Sequence, residues 1–218
     1  MPRPSRNVDV LLLRAGRELF PETGATRLSV RRIAARAGVN LGMFHYHFGT
    51  KDVFVRRLLQ DLYDEMFAKL ELAAAAGTPI EALRGALNVL GRFARDNGRL
   101  LRRLFTDALG GEPLVVEFLR ANVPRHVAVI LGLVKAGQKA ALLRPLAPPQ
   151  ALFFLAGSVA FPILIAGVFT DRAIAPAALG RGIAAAVATD AAIAERVECA
   201  LAGLAEPQAA VVPGKKHR

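Results

Sequence analysis

The sequence predicts an all-α fold, and three observations support that prediction. Apolar residues recur three and four positions apart through most of the 218 residues, which is the spacing of one helix face. No segment of any length alternates apolar and polar residues as a half-buried strand does. Proline and glycine separate the periodic segments, where they end helices. With 53% hydrophobic residues, the chain can also form a substantial core.

The first predicted helix begins at Val8 and has a single apolar face. Pro21 and Gly24 follow this helix, and we expect them to break it. The residues of the face fall at intervals that only a helix brings together: Val8, Leu11, Leu12, Ala15, Leu19 and Phe20.

Capping residues predict three more helices in quick succession. Ser29 is a suitable N-cap for a short second helix, and Gly38 can take the left-handed conformation that ends it. Asn40 can cap a third helix, "LGMFHYHF", which stops at Gly49. Thr50 can then cap a long fourth helix.

The rest of the chain is also predicted to be helical. Thr78 and Pro79 begin one helix, with proline at its favoured first position. Further helices are expected at 99–109, 113–140, 149–169 and 176–204. We therefore expect an N-terminal three-helix domain at residues 1–55. A larger helical domain is expected at 56–205, and a loose basic tail at 206–218.

Positive charge is concentrated at the two ends of the sequence. Residues 1–57 hold eleven Lys and Arg against four Asp and Glu, a net charge of +7. Residues 58–212 are almost neutral at +1, and the final "PGKKHR" adds +3. This asymmetry indicates a polyanionic partner for the N-terminal part, although a solvated basic surface would have the same composition.

Residues 29–51 have the arrangement of a helix-turn-helix, in which two short helices flank a turn that contains glycine. Arg31 and Arg32 lie in the first turn of a helix, where the helix dipole disfavours positive charge. A bound phosphate would make their position favourable. Lys51 places another cation at the start of the fourth helix.

The aromatic cluster in the third helix fits the same interpretation. Phe44 and Phe48 are four residues apart and are expected to pack inward, with His45, Tyr46 and His47 on the other faces. A metal site is disfavoured because His45 and His47 diverge by roughly 200° around a helix. No Cys, Asp or Glu lies in the same turn to complete a tetrahedral site, so we expect no metal and no cofactor.

The segment "LSVRRIAARAGVNLGMFHYHFGTKDVF" resembles the DNA-binding segment of the TetR family of bacterial transcriptional regulators, and the resemblance extends from about Val8 to Leu59. It implies that the second of the two short helices enters the major groove of double-stranded DNA. Leu41 and Met43 replace the polar or basic residue and the threonine that the family often has there. The residues expected to contact DNA are Val30, Arg31, Arg32, Asn40, Leu41, Gly42, Met43, His45, Tyr46, His47 and Lys51.

The segment 151–170, "ALFFLAGSVAFPILIAGVFT", has no charged residue and is long enough to span a membrane. It also contains Pro162 and two glycines, and it has no basic flank on one side. In the family it resembles, the last two long helices form the homodimer interface, which here implies helices near 149–169 and 176–204. We expect this dimer core and no membrane span. Cys199 is expected to be a small buried apolar residue.

The resemblance also implies a pocket for an unknown small-molecule effector. Its candidate lining residues are Phe67, Phe105, Phe118, Asn122, His126, Phe153 and Phe154, although any one of them can equally be ordinary core. The basic run "RLLRRLF" at 99–105 is either a solvated face or a contact with the DNA-binding domain.

The sequence therefore predicts a cytoplasmic homodimeric repressor that an effector releases from a pseudo-palindromic operator. A non-specific architectural DNA-binding protein without an effector is the alternative. An enzyme is not expected, because the Gly-x-Ser-x-Gly, His-Glu-x-x-His, P-loop and dinucleotide motifs are all missing.

Overall fold

The computed structural model describes residues 7–171, 174 and 176–206, and within these ranges the fold is all-α, as predicted. Its only β feature there is an isolated antiparallel bridge between Leu143 and Ala205. The expected tail at 206–218 lies outside the described residues except for Glu206. The helices are α1 (Val8–Arg27), α2 (Val30–Ala37), α3 (Leu41–Phe48), α4 (Lys51–Ala74), α5 (Pro79–Asp96), α6 (Gly98–Leu109), α7 (Pro113–Lys139), α8 (Pro148–Asp171), α9 (Ala177–Ala188) and α10 (Asp190–Leu204).

Helix α1 corrects the expectation of a break at Pro21. The helix continues through Pro21, whose ring removes only one backbone hydrogen bond there. The chain leaves helical geometry at Gly24, where φ is 68° and ψ is −177°, and becomes helical again to Arg27. Glycine is the residue that adopts this backbone conformation without a steric penalty.

The stretch 176–204 is also not one helix, because it bends by 56° between α9 and α10. Thr189 has an extended backbone, and its hydroxyl accepts a hydrogen bond from the Ala192 N–H at 3.2 Å, which caps α10. Asp190 forms ion pairs with Arg92 at 3.2 Å and Arg95 at 2.7 Å. The break therefore places the N-terminus of α10 against α5.

Two hydrophobic cores share helix α4. The first contains buried residues of α1 to α3 together with α4 as far as Leu62, and it also takes in Leu100, Leu104 and Val115. The second begins at Tyr63 and includes α5, α7, α8 and α10. The first core thus extends past the predicted domain boundary at residue 55, and that boundary stays a prediction.

Candidate functional site

Local hydrogen bonds define the geometry of residues 29–51, which we call the recognition segment. The Ser29 hydroxyl accepts from the Arg32 N–H at 3.4 Å, and the Asn40 side chain accepts from the Met43 N–H at 3.0 Å. Gly38, with φ 69° and ψ 28°, ends α2 in the left-handed conformation. The predicted caps and the tight turn between α2 and α3 are confirmed.

Three phenylalanines fix the orientation of α3. The Phe44 ring is fully buried, and its centroid lies 5.6 Å from that of Phe48 and 5.1 Å from that of Phe54 on α4. Phe48 and Phe54 meet edge to face at 4.9 Å. Because this side of α3 is held by aromatic packing, its opposite side faces outward.

The outward side of α3 exposes apolar and aromatic groups. Tyr46 is 80% exposed and Leu41 is 36% exposed. Met43 is half-buried beside them. His45 Nδ1 lies 3.0 Å from the carbonyl oxygen of Gly49 and donates to it, because a carbonyl oxygen only accepts. This face therefore presents hydrophobic surface and an imidazole ring.

The four cations of the segment differ in the partners they already have. Arg36 forms an ion pair with Glu18 at 2.6 Å, and Arg32 is 3.9 Å from a Glu22 oxygen. Lys51 Nζ donates to the Thr26 carbonyl at 2.8 Å, which ties the start of α4 to the end of α1. Arg31 is exposed and has no ion pair or hydrogen bond within residues 7–171, 174 and 176–206.

The predicted DNA-contact residues all lie in the recognition segment, but three of them also have structural roles. Val30 is half-buried against the first core, the Asn40 side chain caps α3, and Lys51 donates to the Thr26 carbonyl. Arg31, Leu41, Gly42, His45 and Tyr46 are exposed. The contacts of all these residues with DNA stay a prediction.

A cavity of about 450 Å³ lies between α4, α5, α6, α7 and α8. Its lining is apolar except for three residues: Tyr63, Asn122 and His126. Of the predicted pocket residues, five line it: Phe105, Phe118, Asn122, His126 and Phe153. Their role as ligand contacts stays a prediction.

Two predicted pocket residues lie elsewhere. The Phe67 ring stacks on Tyr63 with centroids 5.6 Å apart and lies under the Arg125 guanidinium at 4.3 Å. Phe154 is 41% exposed, on the outer side of α8 beside Gly203 of α10. Helical spacing alone did not determine which side of each helix faces the cavity. Tyr63 was missed because its partner Asn122 is 59 residues away.

Hydrogen bonds organise the polar side of the cavity. The Tyr63 hydroxyl donates to the Asn122 carbonyl at 2.7 Å and lies 3.4 Å from His126 Nδ1. The Asn122 amide donates to the Phe118 carbonyl at 2.9 Å and to Gln60 at 3.2 Å. Burial raises the pKa of the Tyr63 hydroxyl, and burial lowers the pKa of His126, so both groups are uncharged near neutral pH.

Helix α6 contacts both the cavity and the end of α1. Leu104 and Phe105 line the cavity. On another side of the helix, Arg103 pairs with the buried Asp107 at 2.7 Å, and Asp107 accepts from the Ala25 N–H at 3.0 Å. A Cβ at Gly24 would collide with the Arg103 and Asp107 side chains. The basic run at 99–105 therefore contacts the N-terminal helix α1 through Arg103.

Helices α8 and α10 expose apolar and small residues, with Phe154 of α8 next to Gly203 of α10. We call this surface the apolar stripe, and its residues are Phe154, Phe161, Ile165, Phe169, Cys199, Ala202 and Gly203. Cys199 is exposed, which corrects the expectation that it is buried; it lies on the outer face of α10, whereas Val197 faces the core. By length and composition α8 could cross a membrane, with a mean hydropathy of 2.3 and 28% of its most apolar window buried. Core helices of soluble proteins share this length and composition, but they are mostly buried.

The sequence of this chain matches known proteins over part of its length. Residues 12–58 match the family model of the bacterial regulatory proteins of the tetR family. The HTH-type transcriptional repressor Rv3405c of Mycobacterium tuberculosis is 36% identical over 129 residues, which is 58% of this chain and 64% of that protein. The match thus spans just under two thirds of that relative's length. The HTH-type transcriptional regulator RutR of Escherichia coli strain K12 is 25% identical over 148 residues, 66% of this chain and 68% of that protein.

Solved structures share the fold over almost the whole chain. The structure of the ketosteroid transcriptional regulator KstR2 of Mycobacterium tuberculosis superposes with a TM-score of 0.68 at 18% identity, covering 94% of this chain and 97% of that one. A TetR family transcription regulator from Marinobacter aquaeolei gives 0.65 at 19% identity, with 92% and 96% covered. Residues 12–58 of this chain thus match the tetR family of bacterial regulatory proteins, and its fold is similar to those of solved transcriptional regulators.

Proposed function

We propose that this protein is a homodimeric, sequence-specific DNA-binding repressor that a small molecule releases from its operator. The observation that carries the DNA-binding part is the outward face of α3. Tyr46 and Leu41 are large apolar groups on the surface, and buried phenylalanines hold the helix beneath them. Such a face suits contact with base edges and thymine methyl groups in the major groove.

The charges around α3 fit a role in holding the DNA backbone. Arg31 is exposed at the start of α2, and Lys51 stands at the start of α4, so both lie beside backbone N–H groups that attract phosphate. We assign these two cations to phosphate contacts that position the protein. Leu41 to Met43 are assigned to the bases.

The apolar stripe on α8 and α10 supports a homodimer. Its large residues stand on the surface of a helix whose other side packs in the second core. A second copy of the same stripe would cover it, and the small residues Cys199, Ala202 and Gly203 allow close helix approach. Two recognition segments would then meet two half-sites of a pseudo-palindrome.

Release by an effector is supported by the position of α6. One side of this helix lines the cavity, and Arg103 and Asp107 on another side hold the end of α1. A ligand that moves α6 would therefore change how the DNA-binding domain is held. The coupling must be reciprocal, so operator DNA should weaken effector binding by the same factor.

Selection of binding sites from random DNA duplexes tests the main claim. At near-physiological salt, the purified protein should enrich a pseudo-palindrome with two half-sites about one helical turn, or a multiple of it, apart. Salt-sensitive binding to every duplex without enrichment would instead support an architectural DNA-binding protein.

Light scattering of the protein in detergent-free buffer tests the dimer. The chain should have the mass of two copies, and Ile165→Glu in the stripe should yield monomers. Leu72→Glu is the matched control, because Leu72 is 77% exposed on α4, outside the stripe. A dimer that persists in Ile165→Glu, or a chain that stays soluble only in detergent, contradicts this interface.

A further inference from the structure

The wall of the cavity restricts the charge of any molecule inside it. None of its lining residues is Lys, Arg, Asp or Glu. Transferring a carboxylate or an ammonium group from water to such a wall carries a penalty of several kcal/mol unless an opposite charge meets it. An ionic ligand is therefore disfavoured on physical grounds.

The cations nearest to the cavity are already engaged elsewhere. The Arg125 guanidinium lies over the rings of Phe67 at 4.3 Å and Tyr63 at 5.2 Å, and it is 3.6 Å from an Asp64 oxygen. Arg102 pairs with Asp171. Neither arginine is part of the lining, although Arg125 Nη1 donates to the Asn122 side chain at 3.4 Å. Each already has a carboxylate partner, which leaves less of its charge to offset an acidic group in the cavity.

Among the three polar lining residues, hydrogen bonding leaves one free acceptor. The single proton of the Tyr63 hydroxyl goes to the Asn122 carbonyl at 2.7 Å, so His126 Nδ1, 3.4 Å away, is the donor to the Tyr63 oxygen. The Asn122 side chain is bonded to Gln60 and the Phe118 carbonyl. In a neutral ring with Nδ1 protonated, Nε2 is an acceptor, and no residue in the described part of the chain donates to it.

We propose that the cavity binds an uncharged, largely hydrocarbon molecule whose hydroxyl group donates to Nε2 of His126. The proposal rests on the proposed function, in which this cavity is the effector site. A volume of about 450 Å³ suits a small ligand, since such sites usually measure roughly 300–1,000 Å³. Phe105 and Phe153 line the cavity and are partly exposed, so they form an apolar mouth.

Four twelve-carbon probes test this proposal: 1-dodecanol, 1-methoxydodecane, dodecanoate and dodecylammonium. Each competes with an apolar fluorescent dye for the purified full-length chain at pH 7.5. We expect 1-dodecanol to bind at least about tenfold tighter than either ion, because no countercharge is present. It should bind about three- to tenfold tighter than the ether, which lacks the donor.

Variants of His126 locate the hydroxyl contact. His126→Leu should remove the preference for the alcohol over the ether, and His126→Gln, which keeps an acceptor oxygen, should retain most of it. Thermal unfolding of each variant checks that it is folded. Ala156→Phe, which places a ring into the cavity from α8, should weaken the binding of all probes.

Three results would overturn the proposal. They are dodecanoate binding as tightly as 1-dodecanol, equal binding of the alcohol and the ether, and the absence of binding by any probe. Site selection with the same preparation reports on the DNA-binding function independently. A selected operator with failed probes would thus reject the ligand class, whereas failed selection would reject the regulator itself.

Discussion

Interactions between residues close together in the sequence shape the recognition segment, whereas interactions between residues far apart in the sequence shape the cavity. In the recognition segment, the caps Ser29 and Asn40 bond the backbone only three residues further on. In the cavity, Tyr63 meets Asn122 across 59 residues of sequence, and the wall comes from five helices. Functional side chains can therefore be located from local sequence in the first region, whereas in the second they depend on how distant helices pack.

The largest expected effect distinguishes a residue of α3 that packs in the core from one that is expected to contact DNA. Phe44→Ala should destabilise the protein by about 3–5 kcal/mol, because it removes a fully buried ring. Tyr46→Ala, two residues away and 80% exposed, should change stability by less than about 0.5 kcal/mol and weaken operator binding. Urea unfolding and DNA titration measure the two effects. If Tyr46→Ala destabilises the protein as much as Phe44→Ala does, Tyr46 packs in the core and does not belong to the outward face.

The second prediction concerns Asp107 of α6, which pairs with Arg103 and accepts a hydrogen bond from Ala25 of α1. Asp107→Asn removes the charge that pairs with Arg103, and it should destabilise the protein by about 2–3 kcal/mol. Asp171→Asn is the matched control, because the Asp171 carboxylate is more exposed and its pair with Arg102 should contribute less than about 1 kcal/mol. Equal losses in the two variants would contradict a special role for Asp107. Chemical unfolding monitored by circular dichroism gives both values.

A third pair of variants distinguishes phosphate contacts from base contacts in the recognition segment. Lys51→Ala should weaken binding to every DNA sequence and lower the slope of log affinity against log salt by about one, because a phosphate contact carries no sequence information. Met43→Ala should instead change the preferred site and leave that slope unchanged. Titrations at several salt concentrations distinguish them. A changed site preference in Lys51→Ala would reverse the assignment.

The smallest effect is the pH dependence that His126 introduces. Burial lowers the pKa of His126 below its ordinary value of 6.5, so the unfolded chain binds more protons as the pH falls through that range. Stability should therefore be full above about pH 6.5 and decrease by up to about 1 kcal/mol toward pH 5.5. His126→Gln should flatten this dependence in urea unfolding. An unchanged slope in the variant would assign the pH dependence to other groups.

Much of the fold could be predicted because caps and apolar spacing act over one or two turns. Ser29, Gly38, Asn40 and Thr50 end or begin helices where expected. The break at Thr189 was not predicted, because the ion pairs of Asp190 with α5 connect residues almost one hundred positions apart. Pro21 does not end α1 as predicted, because a helix tolerates the loss of one backbone hydrogen bond when the residues around it are well packed.

The candidate site was predictable to different degrees in its two parts. Arg31 and Tyr46 were identified from a short motif, and the structure exposes both. Phe67 and Phe154 were assigned to the pocket because aromatic residues often line one, yet helix rotation turns both away from it. The packing of neighbouring helices sets that rotation. The spacing of apolar residues within one helix carries no information about it.

Helix α4 runs unbroken from the recognition segment to the second core, and this gives it the properties of a lever. Its 24 residues correspond to a rod of about 36 Å at 1.5 Å per residue. A tilt of about 5° at the end near Ala74 would displace Lys51 and the attached segment by about 3 Å. In the proposed dimer, the α3 helices of the two copies would have to match a spacing of about 34 Å along DNA. An angular change that is small at the cavity would then be a sizeable mismatch at the groove.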